Sequence, residues 1–158
     1  MKQRIYADTS AVGGCLDEEF KDASVRLLNM FKSGQATIVV SDLTLLELEN
    51  APVEVLRVFE EIPEENREYV GLTEEAEQLA RHYITAGVIG KAKRVDAQHI
   101  AIATVSRADV LVSWNFRDIV NLQRIHGYNS VNLRHGYPVL EVRTPREVIR
   151  HEEGREEI

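Results

Sequence analysis

Three short apolar runs, Ile5-Tyr6-Ala7, Thr37-Ile38-Val39-Val40 and Val110-Leu111-Val112-Ser113, recur along this chain with helix-periodic segments between them. No other feature restricts the fold as much. Runs this short, with little polar alternation, read as strands buried on both faces. The intervals between them are long enough to hold crossover helices. Strands alternating with helices predict a mostly parallel central sheet covered on both sides, a three-layer α/β/α architecture. With 158 residues the expectation is one domain over residues 1-150 and a charged tail over 151-158.

The helical segments follow from apolar spacing and terminal residues. Asp17-Glu18-Glu19 leads into a stripe of Phe20, Ala23, Leu27, Leu28 and Phe31 that Gly34 closes. Ser41 is placed to cap a helix from Asp42 to about Asn50, and Pro52 to start another that runs to Glu61. Pro63 to Arg67 reads as loop. Thr73 to about Ala86 is a long helix closed by Gly87, and Val95 to Ser106 is apolar on most sides and so buried. Phe116 to Ile125 is predicted helical with Gly127 ending it, Val139 to Val142 is a candidate last strand, and Pro145 to about Arg150 a last short helix.

Acids follow the strand ends. Asp8 leaves the first run directly, followed by Thr9 and Ser10. In an open α/β sheet that edge is where ligands bind, although an acid there also serves as a turn or cap residue. Glu47 lies in the helix after the second run, where Leu43, Thr44 and Leu46 on its side of the helix predict that it faces inward; its bland role is a solvated surface acid. Asp96 opens the most hydrophobic helix, favouring the helix dipole or meeting Asp8 in one crevice. His99, three residues on, reads as a hydrogen-bonded structural histidine. The stretch Ser113-Trp114-Asn115-Phe116-Arg117-Asp118 leaves the third run with two short polar groups, a further carboxylate and an arginine able to steady an acid or contact a phosphate. Converging carboxylates repel and raise one another's pKa values unless a cation joins them. All-oxygen donors select Mg²⁺ or Mn²⁺, and the chemistry that such a site suits is phosphodiester hydrolysis.

The same residues resemble the PIN-domain family of metal-dependent ribonucleases, and within it the VapC-like toxins of toxin–antitoxin pairs. The resemblance runs from Asp8-Thr-Ser through Val39-Val-Ser-Asp-Leu-Thr-Leu-Leu-Glu47 and Asp96-Ala-Gln-His-Ile-Ala-Ile-Ala to Val112-Ser-Trp-Asn-Phe-Arg-Asp118. By position, Asp8, Glu47 and Asp96 match the family's three acidic metal-site residues, and Asp118 resembles its more variable fourth. Asn115 occupies the alternative acidic position without the charge, and Thr9 and Ser113 match hydroxyl positions near the site. The resemblance implies Mg²⁺ or Mn²⁺, an RNA substrate, frequent homodimers and often a bound antitoxin protein.

Bulk properties limit the partners. The net charge of −7 argues against affinity drawn from a broad basic surface, though acids around a metal are neutralised when it binds. The single cysteine excludes an internal disulfide framework. No apolar run approaches the roughly 18 residues of a membrane span, and a cytoplasmic address is expected. A catalytically idle PIN-like module that binds RNA or protein is the alternative reading. A phosphatase using Asp8 as nucleophile fits poorly, because Ser10 stands where its second acid belongs.

Overall fold

In the computed structural model, which describes residues 2–157 (with side chains through 154), β1 (Gln3–Ala7) is the central strand of a five-stranded parallel sheet. It is flanked by β2 (Ala36–Ser41) and β4 (Val110–Val112), with β3 (Arg67–Val70) and β5 (Val142–Arg143) at the edges, in the order β3-β2-β1-β4-β5. The register pairs Tyr6 with Val39 on one side and with Leu111 on the other.

Side chains alternate across the sheet with period two. Ile5, Ala7, Ile38, Val40, Val110 and Val112 enter one core. It is closed by α1 (Thr9–Gly13), α2 (Lys21–Ser33), α3 (Asp42–Glu49), α4 (Val53–Glu60) and α8 (Pro145–Glu157), through Val12, Phe31, Leu48, Val55 and Val148 among others. Tyr6, Val39 and Leu111 enter a second core on the opposite face, under α5 (Glu74–Thr85), α6 (Arg94–Val105) and α7 (Leu122–Arg134). This is the expected three-layer sandwich. Because each of the three inner strands feeds both cores, none of them has a polar side, which is why these runs are legible from composition alone.

Several boundaries differ from the sequence reading, each for a physical reason. β3 falls where the loop of Pro63 to Arg67 was expected to end. It is an edge strand with exposed and half-exposed residues, so it lacks an apolar signature. It is held by its register with β2 and by Arg4, whose Nε donates to Glu68 at 2.8 Å. Phe116 to Val120 is a turn, and α7 begins only after Asn121, whose side chain accepts from the Arg124 N–H. Gly127 does not end that helix but lies inside it, where a β-carbon would come within 2.7 Å of Val88 Cγ1. The roughly 1 kcal/mol that glycine costs in a helix interior is the condition for this close packing. α2 starts at Lys21 rather than Asp17. The last strand is Val142–Arg143, shifted from Val139 to Val142. α8 continues past Arg150 through residues 151–157, which the sequence reading assigned to a tail, and Arg26 of α2 pairs with Glu153 along it. Among the described residues no helix is long and apolar enough to cross a membrane.

Candidate functional site

The carboxyl ends of β1 and β4 lie side by side at the point where successive connections depart in opposite directions from β1, the usual place for a ligand in an open sheet. Asp8 leaves β1 there as the N-cap of α1, with its Oδ1 accepting the Ala11 N–H at 3.0 Å. Two hydroxyls complete its shell. Ser10 Oγ donates to Oδ1 at 2.7 Å and Ser113 Oγ to Oδ2 at 2.6 Å. Each of those hydroxyls in turn accepts a backbone N–H from the segment leaving β4, Trp114 on Ser10 and Asn115 on Ser113, both at 2.9 Å. Asp8 is 6% exposed. Burial pushes its pKa above the ordinary carboxylate value, while the bonds from Ser113 and Ser10 pull the other way.

The segment after β4 is fastened to α2. Trp114 stacks on Phe20 and donates its Nε1–H to Ser24 Oγ at 2.9 Å, and Ser24 donates to the Ala11 carbonyl at 2.8 Å. Gly14 makes this approach possible, since a β-carbon there would lie 2.3 Å from Ser24 Oγ and 2.6 Å from Trp114 Nε1.

Asp96 sits in the first turn of α6, partly buried. Burial raises its pKa, and the charges of Asp118 and Asp8 raise it further, while His99 and Lys93 oppose them. Its carboxylate has no hydrogen bond or salt bridge among the described residues. Asp118 is buried beside it, with Lys93 Nζ 3.5 Å from one oxygen and Arg124 3.8 Å from the other. Asn115 acts as a turn cap, its Oδ1 accepting the N–H groups of Arg117 and Asp118.

Asp8, Asp96 and Asp118 thus share one electrostatic neighbourhood. Glu47 approaches it through His99 and is less enclosed than its neighbours in sequence predicted. Thr44 and Leu48 take the core-facing positions of α3, Leu46 points outward, and the Glu47 side chain is 42% exposed. Its Oε1 turns in to meet His99 Nε2 at 2.6 Å. Thr9 takes no part in the Asp8 shell. Its hydroxyl is buried without a partner among the described residues, and the residue lines a small cleft with Leu16, Pro52 and Val55. Arg117 is exposed and lines a separate cleft with Asn121 and Arg124. Ser10, Lys93 and Arg124 were missing from the sequence-derived set. Ser10 had a signal, a hydroxyl two residues past a candidate N-cap; the two cations had none.

Among the described residues no three His, Cys, Asp or Glu side chains stand together as a ready metal cage. The donor chemistry nonetheless fits a hard divalent ion. The acids offer oxygen only, two of them are held above their ordinary pKa, the Asp96 carboxylate has no donor among the described residues, and the Lys93 ammonium already lies against Asp118 as a counter-charge.

No protein-family model matches this chain, and no curated protein matches it. Solved structures do. The Mycobacterium tuberculosis toxin VapC20, described as cleaving the sarcin-ricin loop, superposes with a TM-score of 0.54 at 16% identity, covering 72% of this chain and 91% of that one. VapBC2 from Rickettsia felis, solved bound to a DNA fragment from its promoter, matches with a TM-score of 0.55 at 12% identity, over 90% of this chain and 98% of that one. At such identities the likeness is one of fold.

Proposed function

We propose that this chain, which has the VapC-like PIN-domain fold, is a divalent-metal-dependent endoribonuclease that hydrolyses RNA phosphodiester bonds, and the toxin of a type II toxin–antitoxin pair. The observation that carries the reading is the gathering of Asp8, Asp96 and Asp118 at the carboxyl edge of the sheet, where burial raises the pKa of Asp8 and of Asp96, and the charges of Asp118 and Asp8 raise that of Asp96 further.

Asp8, Asp96 and Glu47 would hold Mg²⁺ or Mn²⁺, with Asp118 assisting. When bound, such an ion supplies a water of lowered pKa and offsets charge on the phosphate and leaving oxygen. The chain's own groups do the positioning. Ser10 and Ser113 fix both oxygens of Asp8 and tie them to the backbone leaving β4. Lys93 and Arg124 balance Asp118, and Arg117, exposed at the neighbouring cleft, would meet an RNA phosphate. An antitoxin protein and a second copy of the chain are the partners that this reading expects, in the cytoplasm.

Asp8→Asn should abolish Mn²⁺-dependent RNA cleavage by the purified protein without altering its circular dichroism spectrum. Cleavage at the parental rate would overturn the assignment. One observation favours the idle binding module instead: Asn115 spends its side-chain oxygen on capping a turn. Calorimetric titration with Mn²⁺ separates the two, since a module without chemistry should show no saturable binding dependent on Asp8 and Asp96.

A further inference from the structure

Glu47 stands on the open side of α3. Holding such a long, rotamer-rich side chain in one geometry costs side-chain entropy. Here one oxygen is bound from the interior. Glu47 Oε1 lies 2.6 Å from Nε2 of His99, a ring 2% exposed on α6, and Nδ1 of the same ring lies 2.6 Å from the Tyr6 hydroxyl on β1. That hydroxyl is 2.8 Å from Ser41 Oγ, which caps α3 by accepting the Thr44 N–H at 3.3 Å. The path therefore starts at the first turn of α3, crosses the core through β1 and α6, and returns to α3 at Glu47. It is a closed circuit that clamps one acid relative to the helix that carries it. Glu47 Oε2 has no partner among the described residues and stays available.

The chemistry sets a direction along the circuit. An ionised glutamate only accepts, so Nε2 carries the hydrogen. In the neutral ring Nδ1 then accepts from the Tyr6 hydroxyl, which accepts from Ser41. Tyr6 remains a phenol throughout, because burial drives its pKa far above the ordinary value.

We propose that His99 and Tyr6 are positioning residues that present the free oxygen of Glu47 to the cation site, with Tyr6 and Ser41 fixing the orientation of the His99 ring. This rests on the reading of Glu47 as one of the nuclease acids. Groups that orient metal-binding side chains from behind typically matter about 10–100-fold in affinity or activity.

The test uses the whole chain and Mn²⁺ alone, by calorimetry without RNA, followed by kcat and KM for RNA cleavage. His99→Leu keeps the bulk and removes the donor. It should weaken Mn²⁺ binding at least about tenfold and lower kcat more than it raises KM. His99→Gln, whose amide can donate to Glu47 and accept from Tyr6, should recover most of both. A folded His99→Leu protein with parental Mn²⁺ affinity overturns the proposal, as does a His99→Gln protein no better than His99→Leu. If His99→Leu does not fold, Tyr6→Phe carries the test: it deletes one oxygen, a severalfold loss of Mn²⁺ affinity is expected, and parental affinity overturns the proposal. Asp8→Asn distinguishes the two readings. If it loses Mn²⁺ binding and cleavage while the His99 variants keep both, the positioning role alone fails. If it keeps both, or if the parent binds no Mn²⁺, the nuclease reading fails and the positioning role with it.

Discussion

Asp8 and Asp96 are neighbours in charge and opposites in construction. Asp8 is buried, and its two oxygens take donors from α1 and from the segment after β4, three donors in all. Asp96 is half open on α6 and takes none among the described residues. Burial raises the pKa of both, yet only Asp8 has hydrogen bonds that offset part of that cost. Asp8 is therefore built into the fold, as much a joint between β1, α1 and β4 as a prospective ligand. Asp96 is held in place by its helix alone, so its carboxylate has the most to gain from a cation.

The contrast can be broken at the Asp8 side first. Gly14→Ala puts a methyl into the space where Trp114 meets Ser24, and should destabilise the protein by about 3 kcal/mol, the upper end for overpacking. Urea unfolding measures it, and a loss under roughly 0.5 kcal/mol, the level of a neutral surface change, would mean that the anchoring of the Trp114 segment is dispensable. Ser113→Ala, next in size, leaves Asp8 Oδ2 and the Asn115 N–H without their shared hydroxyl. The expected cost is about 2 kcal/mol, as for hydrogen bonds to a charged group, read from the same unfolding curves.

Asp96→Asn sharpens the comparison from the other side, with the smallest effect and the opposite sign. Folding raises the pKa of Asp96 above its ordinary value of 3.8. Protonated Asp96 therefore favours the fold fully below that value, and the contribution is lost as pH rises through the raised one. At neutral pH the charged group opposes folding, so the metal-free variant should melt about 1–3 °C higher than the parent. The gap should close as pH falls through the raised pKa toward 3.8. A variant that melts lower at pH 7, by scanning calorimetry, would show that Asp96 has a stabilising partner after all.

What could be read in advance and what could not divides along the same physical line. β1, β2 and β4 were legible because a strand buried on both faces must be apolar throughout, and Asp8 was legible because it follows such a strand at once. β3 carries Arg67 and Glu68 and owes its existence to the register with β2 and to the pairing with Arg4, neither of which is a local property. Likewise Gly127 looks like a helix stop until Val88 is packed against it.

By itself the sequence determined the layering of the molecule and the order in which acids reach one edge of the sheet, since both follow from which segments must leave water. Only the tertiary structure decided how each acid is held. It chose Ser10 over its neighbour Thr9 for Asp8, left Asp96 without a donor among the described residues, and tied half-exposed Glu47 to buried His99. Those outcomes depend on distances of a few ångströms between segments far apart in the chain, and hydrogen bonds form only when both partners have already been brought to such distances by the packing of the two cores.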